Sequence, residues 1–343
     1  MKRVMILTNS LTGGGAERSM NLVCNELAKR GWPIALVPIN AGPNDEIIPT
    51  CEVFPLERKW QGTLANTASA IWRLNKVVKA WNPDVIVLNC DLPELFGALL
   101  LSRRQLIAVE HINRPWISRL TLGRIVRQIL RFRKVKWVAV SAHLSIWPTG
   151  ETPDSVVLNS ISTVSMQVHS KSNPRHSNEI RRLFFVGRLA PQKRPDWLLE
   201  IGRQTNLPME VIGEGLMRFS LEELARQFEV KVNFRGQITH VWEKVEDGDV
   251  LIVPSEYEGD GLVVIEGIQQ GLPMLLADIP DFRRFGLPDK NYCKDVNDFT
   301  KRIDSFRTNQ VELLVPEDIS RNILASRSIM AVGNMWGDYL NSI

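Results

Sequence analysis

The chain has 343 residues, enough for about two domains that each bury their own core. Hydrophobic residues make up 44% and charged residues 23%, which excludes a disordered or fibrous protein. Four scattered cysteines without a C-x-x-C pair argue against a disulfide framework and a structural zinc site. The first apolar run, Val4 to Leu7, is too short for a signal peptide, and no 18-residue apolar run follows. These features predict a cytoplasmic protein.

Short apolar runs alternate with helical patterns along the first half of the chain. Strands are predicted at "RVMILTNS", "PIALVPIN", "NPDVIVLNC", "QLIAVEH" and "VKWVAVS". Helices are predicted from "GGAE" to Gly31 and near residues 64–80, 93–102 and 119–133. Strands that alternate with helices indicate a parallel, doubly wound sheet with helices on both faces.

The same alternation starts again in the second half. Strands are predicted at "RRLFFVGRL", "PMEVIGEG", "VKVNFRGQ", "DVLIVPS" and "PMLLAD", with helices near residues 195–204, 216–228 and 261–270. The polar, aperiodic stretch between the halves suits a linker. We therefore predict an α/β protein with two Rossmann-like doubly wound domains facing across a cleft. In such sheets ligands bind beyond the carboxyl ends of the strands.

A glycine-rich turn, "LTGGGAERS", joins the first strand to the first helix. Gly13, Gly14 and Gly15 allow a ligand to approach main-chain N–H groups at the positive end of a helix. No lysine follows them as in a P-loop, and the second strand ends in Asn40 rather than in an acidic residue. The turn suits either phosphate binding or a structural role, but not a usual ATP or nicotinamide site.

Two cations follow the first strand of the second half, in "FFVGRLAPQKRPDWLLE". Arg188 comes directly after the strand, and Lys193 precedes the helix that Pro195 starts. A planar guanidinium fork and a point charge together suit a diphosphate. Taken alone, both residues are better explained as solvated loop cations.

Two glutamates eight positions apart lie around a Gly-Asp-Gly turn in "SEYEGDGLVVIEGIQQGLP". Glu258 lies in the loop before a helix, and Glu266 lies about a turn and a half inside it. They should therefore face different parts of one ligand, although each taken singly could be a surface charge. The start of this helix, after Gly261, is a further anion site.

The ordered set "GGAE", "EHIN", "AVSAHL", "VVLNSI", "FVGRLAPQKRPDWLL", "VIGEG", "NFRGQI" and "PSEYEGDGLVVIEGIQQGLPMLLADI" resembles the family 4 glycosyltransferases. These are retaining enzymes of the two-domain B-type fold. The resemblance covers about residues 3–280, and its most specific feature is the glutamate pair. It implies an acceptor-binding domain at 1–165, a linker at 166–179 and a nucleotide-sugar-binding domain at 180–325. The segment 326–343 would be a helix that crosses back onto the first domain, with Met330, Met335, Trp336 and Leu340 buried.

The resemblance also implies residue roles. Glu266 would bind the ribose of a nucleotide-sugar donor and Glu258 the donor sugar, while Arg188 and Lys193 would hold the diphosphate. His111 would lie near the donor sugar and the acceptor, which makes His111, Glu258, Arg188 and Lys193 the catalytic set. The remaining donor-binding positions would be Gly14, Gly15, Gly213, Gln237, Ile238, Gly259, Asp260, Gly261 and Leu262.

The implied reaction moves a hexosyl or N-acetylhexosaminyl group from a nucleotide-diphosphate sugar to a glycan hydroxyl. A UDP-sugar donor, a lipid-linked acceptor and a role in surface polysaccharide synthesis such as lipopolysaccharide are expected. The alternatives are a sugar-nucleotide epimerase and a non-catalytic nucleotide-sugar-binding protein of the same fold. A glycosidase also uses two carboxylates, but the implied roles of these glutamates do not place them around a scissile bond.

The chain departs from the family pattern at three positions. Asp260 stands where an aromatic residue is common, Gly267 where alanine is usual, and Ser160 follows Asn159 where glycine is common. The departure at Asp260 concerns the identity of the donor sugar more than the class of reaction. The Asp247-Gly248-Asp249 turn looks like a metal-binding motif of another fold, but it precedes a strand, so no required metal or other cofactor is predicted.

A basic segment lies between Glu110 and Glu151, where eight lysines and arginines occur without an acidic residue. Arg124, Arg127, Arg131 and Lys134 recur there at helical spacing, opposite an apolar face. One interpretation is a helix with solvated cations outside. The other places these four cations on an anionic membrane, which would make the protein peripheral on the inner face of the cytoplasmic membrane. No nucleic-acid motif accompanies the segment.

Overall fold

The computed structural model describes residues 1–11, 14–41, 49–60, 63–162, 179–308 and 312–343. The chain divides into two compact units. The N-terminal domain consists of Met1–Ser162 and Ser326–Ile343, and the C-terminal domain of Thr163–Ala325. The predicted linker, 166–179, lies outside the described residues except for Glu179.

One sheet forms the centre of the N-terminal domain. Its described strands are β1 (Val4–Thr8), β2 (Ile34–Pro38), β3 (Glu52–Val53), β4 (Val85–Asn89), β5 (Gln105–Glu110), β6 (Lys136–Ala139) and β7 (Ser155–Val156). They pair in parallel in the order β3-β2-β1-β4-β5-β6-β7. Helices α1 (Gly15–Lys29), α2 (Leu64–Trp81), α3 (Asp91–Ala98) and α4 (Leu120–Phe132) connect them.

Helices cover both faces of this sheet, which is why its central strands are apolar without alternation. Strands β1, β2 and β4 are buried at every position. One core cluster contains Met20 and Leu27 of α1, and the other contains Leu74 of α2 and Leu130 of α4. The domain is therefore doubly wound, as the sequence predicts.

The C-terminal domain repeats this architecture. Its described strands are β8 (Arg182–Val186), β9 (Met209–Ile212), β10 (Val232–Gly236), β11 (Asp249–Val253), β12 (Met274–Ala277) and β13 (Tyr292–Cys293). They pair in parallel in the order β10-β9-β8-β11-β12-β13. Its described helices are α5 (Pro195–Thr205), α6 (Arg218–Gln227), α7 (Leu262–Gln269), α8 (Pro280–Arg283), α9 (Val296–Arg307) and α10 (Glu317–Arg327). The last two residues of α10 belong to the N-terminal domain.

Each sheet has a point at which its strand order reverses. In the N-terminal domain β1 lies beside β4, and in the C-terminal domain β8 lies beside β11. The connections that leave neighbouring strands at such a point run to opposite faces and open a crevice at the carboxyl edge. The loops that follow β8 and β11, which carry Arg188, Lys193 and Glu258 of the predicted catalytic set, therefore become neighbours.

The predicted fold class of two Rossmann-like α/β domains is confirmed. Helices α8, α9 and α10 were not predicted, and the strands that were missed lie at the sheet edges. Strands β3, β7 and β13 have two residues each. A run of two residues shows no period, so the sequence pattern cannot reveal it.

The last helix, α11 (Ile329–Ser342), belongs to the N-terminal domain and packs against α1. The approach is close at Gly333, where an added Cβ would lie 2.7 Å from Glu26 Cγ. Trp336 and Leu340 are buried, but the prediction that Met330 is buried was wrong, since 68% of it is exposed. At 3.6 residues per turn Met330 lies about 120° around the helix from Trp336, away from the packed face.

Candidate functional site

The loops after β8 and β11 are joined by hydrogen bonds at the reversal point of the C-terminal sheet. Gln192 donates from Nε2 to the carbonyl of Tyr257 over 3.0 Å. In return, the backbone N–H of Glu256 donates to the carbonyl of Gln192 over 2.8 Å. The two loops therefore hold each other in place, next to the predicted residues Lys193 and Glu258.

Lys193 and Glu258 are in direct contact, since Lys193 Nζ donates to Oε1 of Glu258. The hydroxyl of Ser255 donates to the same carboxylate oxygen over 2.8 Å. Glu258 is only 5% exposed, whereas 20% of the Lys193 side chain reaches solvent. A cation that can meet phosphate and a carboxylate that can accept from hydroxyls thus lie side by side.

The loops after β8 and β9 approach each other through glycine. Gly213 has a φ of +140°, and a Cβ placed on it would lie 1.9 Å from the carbonyl oxygen of Gly187. Only glycine fits there, so its presence has a packing reason independent of any ligand. Arg188 follows Gly187 and is exposed.

Residues 254–261, here named the β11–α7 loop, end in a left-handed turn. Gly261 caps α7 with a φ of +59°. Asp260 is 5% exposed, and Arg284 Nη2 donates to its carbonyl oxygen over 2.6 Å and to Oδ1 over 2.9 Å. The carboxylate of Asp260 therefore faces Arg284, for which the sequence predicts no role.

Helix α7 carries the second glutamate. Leu262 is its first residue and Glu266 lies in its second turn, half-buried. The neighbouring Gly267 lies against β11, where an added Cβ would be 2.4 Å from Leu251 Cδ2. The Leu251 side chain thus explains why this chain has glycine where alanine is usual. Gln237 and Ile238 follow β10, the edge strand of the sheet.

The Asp-Gly-Asp turn before β11 has a structural role. Asp249 Oδ1 and Oδ2 accept from Arg182 Nε and Nη2 over 2.6 and 3.0 Å, and Asp249 is 1% exposed. It lies at the amino end of its strand, the edge opposite the candidate site. Among the described residues, no group of three or more histidines, cysteines, aspartates and glutamates could hold a metal ion.

In the N-terminal domain, His111 directly follows β5 and lies beside the end of β4. Its Nε2 is 2.7 Å from Oδ1 of Asn89, the fully buried last residue of β4. Since an amide oxygen only accepts, this geometry puts the hydrogen on Nε2. Asn89 therefore fixes the orientation of the histidine ring.

The glycine turn after β1 is described from Gly14 onward, and Gly13 lies outside the described residues. Gly14 caps α1 with an ordinary φ of −77°, and Gly15 is the first residue of that helix. The nearest described atom to a Cβ added on Gly14 would be Oε2 of Glu17, at 3.6 Å, which is an ordinary van der Waals distance. Within the described parts of the chain, neither the backbone nor the packing therefore requires glycine at this position.

One prediction for the basic segment is wrong. Arg127, predicted to contact a membrane, is 1% exposed and forms ion pairs with Glu94 of α3 and Glu110 of β5. It binds Glu94 through two hydrogen bonds of 2.9 and 2.6 Å and Glu110 through two of 2.5 and 3.2 Å. A further bond of 2.7 Å reaches the carbonyl of Trp147. Buried carboxylates need such a partner, so Arg127 turns inward and cannot touch lipid.

We name Arg127, Glu94 and Glu110 the Arg127 cluster. Burial is the main cause that raises the pKa of both glutamates, to about 7 for Glu94, and Arg127 opposes the shift. Trp116 Nε1 also donates to Glu94 over 2.8 Å. Because Glu110 immediately precedes His111, the cluster anchors the strand end that carries the histidine.

Arg131 pairs with Glu151, whereas Arg124 and Lys134 are exposed. The outer side of α4 and the turn before it, which we name the outer α4 surface, also exposes apolar side chains. These are Ile117, Leu120, Ile125 and Phe132, between 48 and 79% exposed. The predicted separation into an apolar inner face and a cationic outer face is therefore wrong, since both kinds of residue share the outer surface.

Some residues of these sites had no role predicted from the sequence: Asn89, Glu94, Glu110, Ser255 and Arg284. Glu110 offered a signal, because an acidic residue that ends a buried strand needs a cation nearby. No comparable signal exists for Arg284, which lies 24 positions from its partner Asp260 in an unremarkable polar stretch.

The comparisons with known proteins agree for the two halves of the chain. Residues 13–156 match the model of Glycosyltransferase Family 4, and residues 169–323 match the model of Glycosyl transferases group 1. An uncharacterized glycosyltransferase of Haemophilus influenzae is 24% identical over 80% of this chain and 80% of its own length.

Two further likenesses are more informative. An α-1,4-N-acetyl-D-galactosaminyltransferase of Campylobacter jejuni, named for a GalNAc-containing glycan on PP-undecaprenol, is 25% identical over 78% of this chain and 77% of its own length. The structure of HepE from Anabaena with UDP and glucose superposes with a TM-score of 0.77 at 16% identity and covers 100% of both chains.

The superposition shows the two-domain B-type fold. The N-terminal domain matches the Glycosyltransferase Family 4 model and the C-terminal domain the Glycosyl transferases group 1 model. The protein therefore belongs to the family 4 glycosyltransferases.

Proposed function

We propose that this glycosyltransferase moves a hexosyl or N-acetylhexosaminyl group from a nucleotide-diphosphate sugar, with UDP as the first choice of nucleotide, to a hydroxyl of a lipid-linked glycan. The new bond keeps the anomeric configuration of the donor. The observation that carries the proposal is the contact of Lys193 with Glu258 at the reversal point of the C-terminal sheet.

The chemistry of these two groups matches the two ends of the bond that breaks. Lys193, with the exposed Arg188 on the same loop, offsets the charge that develops on the departing diphosphate. Glu258 accepts hydrogen bonds from donor-sugar hydroxyls and Glu266 from ribose hydroxyls. The main-chain N–H groups at Gly261 and Leu262 add the positive end of α7.

Retention follows when the acceptor hydroxyl attacks the anomeric carbon from the face that the diphosphate leaves. The bond between that carbon and the diphosphate oxygen breaks, and the bond to the acceptor oxygen forms. The departing phosphate oxygen takes the acceptor proton, so no protein nucleophile and no metal is required. His111, oriented by Asn89 through Nε2, and the N–H groups at Gly14 and Gly15 are the proposed contributions of the N-terminal domain.

The named relatives support the donor and acceptor classes. HepE was solved with UDP and glucose, and the Campylobacter enzyme is named for a glycan on PP-undecaprenol. Both classes are compatible with a diphosphate site built from cations and a helix start. We infer a role in the synthesis of a surface polysaccharide such as lipopolysaccharide.

The direct test is to incubate the protein with a panel of nucleotide sugars and an extract of lipid-linked glycans, with and without EDTA. Release of nucleoside diphosphate with one donor, undiminished by EDTA, is expected. The anomeric configuration of the product, read by NMR, tests retention. No release with any donor in the presence of acceptor would refute the transferase proposal.

We also propose that the outer α4 surface rests on an anionic membrane, with the protein peripheral on the cytoplasmic face. Its cations meet lipid headgroups while Ile125 and Phe132 enter the interface, a combination that suits a charged bilayer. None of the helices in the described parts of the chain is long and apolar enough to cross a membrane.

Flotation with vesicles of phosphatidylcholine alone or mixed with phosphatidylglycerol tests this surface. Arg124→Ala should lower binding to the mixed vesicles about fivefold, since a cation near such a surface contributes about 1 kcal/mol. Phe132→Ser should lower it further, and Arg226→Ala, at an exposed position of α6, should change nothing. Equal binding to both vesicle types, or none, would contradict the proposal.

A further inference from the structure

The segment 280–285, which we name the support segment, lies against the β11–α7 loop and contains α8. It follows β12, the strand next to β11, so the sheet places it beside that loop. None of its residues belongs to the sequence patterns that identify the family. Its contacts with the loop are nevertheless made at the residues proposed to bind the donor.

Two of these contacts hold the loop backbone on either side of Gly259. The N–H of Glu258 donates to Oδ2 of Asp281 over 2.8 Å, and Asp281 is 6% exposed. The guanidinium of Arg284 donates from Nη2 to the carbonyl oxygen of Asp260. A third bond, from Arg284 Nε to the carbonyl of Asp281 over 2.8 Å, ties the two supporting residues together.

The side chain of Asp260 is held by the same guanidinium. Its Oδ1 lies 2.9 Å from Arg284 Nη2, and the side chain is 3% exposed. One arginine therefore binds both the main chain and the carboxylate of residue 260. Hydrogen bonds to a charged group are stronger than neutral ones, and a buried carboxylate left without its cation costs several kcal/mol.

The turn that follows Asp260 leaves no spare room. Gly261 is left-handed, and an added Cβ would lie 3.2 Å from Phe282 and 3.3 Å from Phe285, both buried. Arg284 itself lies over the Phe285 ring at 4.6 Å. The support segment thus lies against the loop at Glu258, Asp260 and Gly261.

We propose that Arg284 and Asp281 are positioning residues for donor binding, and that Asp260 acts through Arg284 and not as a direct ligand of the donor sugar. This inference rests on the proposed function. The pair of Asp260 and Arg284 sets where the main chain of Gly259 and Gly261 meets the sugar, and Asp281 sets the position of Glu258.

The decisive variant is Arg284→Met, which keeps the length of the side chain and removes its donors. Its control is Arg283→Met, because Arg283 is the preceding residue and pairs with Asp278 and Asp289 outside the loop. Kinetics are measured with the donor identified by the panel and with its epimer at one hydroxyl. Thermal unfolding of each variant is recorded alongside.

Arg284→Met should raise the donor KM about tenfold, with a smaller change in kcat, and should bring the kcat/KM ratio of the two epimers towards one. Affinity for the free nucleoside diphosphate should change less, because it lacks the sugar. Arg284→Lys should recover part of the loss. Asp260→Asn combined with Arg284→Met should be no worse than Arg284→Met alone, since both remove one interaction.

A lower kcat with unchanged KM and unchanged epimer ratio would show a merely structural role and overturn the inference. So would equal kinetics of the two arginine variants. Amide hydrogen exchange at residues 258–262 gives a test that needs no donor. Faster exchange in Arg284→Met than in Arg283→Met is expected, and equal exchange would refute the inference. Inactivity of the wild type with every donor would refute the proposed function alone.

Discussion

In the N-terminal domain, all the guanidinium N–H groups of Arg127 donate hydrogen bonds to Glu94, Glu110 and the carbonyl of Trp147. Only 2% of the Arg127 side chain is exposed. In the C-terminal domain, Lys193 meets Glu258 at a crevice edge with 20% of its side chain in contact with solvent. A rigid guanidinium fork in a closed cluster favours permanent structure. An ammonium on a flexible stem at an open edge can exchange a carboxylate for a phosphate.

The comparison shows that an ion pair indicates function only where the partners can reach a ligand. The Arg127 cluster joins α3, α4 and β5, next to the strand end that bears His111. The pair of Lys193 and Glu258 lies on two loops at the point where the sheet order reverses. Burial and place in the fold, rather than charge pattern, separate the two.

The largest effect is expected from Arg127→Ala. Removing one partner of a buried ion pair leaves uncompensated charge, here two carboxylates, and should cost about 3–5 kcal/mol of unfolding free energy. Urea unfolding measures the loss. Arg124→Ala on the exposed side of the same helix is the control and should stay within about 0.5 kcal/mol of the wild type. Equal unfolding free energies of the two variants would contradict a buried ion pair of Arg127 with Glu94 and Glu110.

If Arg127→Ala does not fold, Arg127→Lys provides the same test. Lysine keeps the charge but lacks the planar guanidinium fork. The unfolding free energy of Arg127→Lys should therefore lie between that of the wild type and that of Arg127→Ala. Wild-type stability in the lysine variant would show that the fork geometry does not matter.

The second effect is a pH dependence. Burial raises the pKa of Glu94 from its ordinary 4.5 to about 7, so the folded protein binds more protons than the unfolded chain between these values. Stability contributed by the protonated carboxyl is present below about pH 4.5 and is lost as pH rises through about 7. The loss is at most about 3 kcal/mol, since one pKa unit corresponds to about 1.4 kcal/mol.

Unfolding free energies across this range should therefore decline more steeply for the wild type than for Glu94→Gln. The neighbouring Asp91, Glu110 and Arg127 are present in both proteins, so the difference between the two curves reports the removal of the Glu94 carboxyl and its coupling to these groups. Parallel curves for the two proteins would show that Glu94 is ionised throughout.

The third effect concerns the ion pair of Lys193 and Glu258 and is an effect on activity rather than on stability. Glu258→Gln should lower kcat/KM about a hundredfold, comparable to the loss of one transition-state hydrogen bond, with little change in unfolding. Glu256→Gln, an exposed carboxylate two positions earlier in the same loop, is the matched control. Similar activities of the two variants would remove Glu258 from the site.

Much of the fold could be predicted because its strands are buried on both faces and separated by helical patterns. The edge strands could not, because two residues show no pattern. Within the candidate site, Lys193 and Glu258 could be predicted to act together, since each follows a strand that ends at the same edge. The support segment could not, because Asp281 and Arg284 gain their role from contacts with residues more than 20 positions away.

By itself the sequence determined the alternation of strands and helices, the two domains and the family, since these depend on local spacing and ordered motifs. Only the tertiary structure decided which cation of α4 turns inward. Arg124, Arg127 and Arg131 share one side of the helix, but Arg127 lies at the edge of its buried face. There it contacts Glu94 and Glu110, which are 33 and 17 positions away in the sequence. Helical spacing places residues on a common face, whereas the position of the buried boundary depends on what the neighbouring elements present to it.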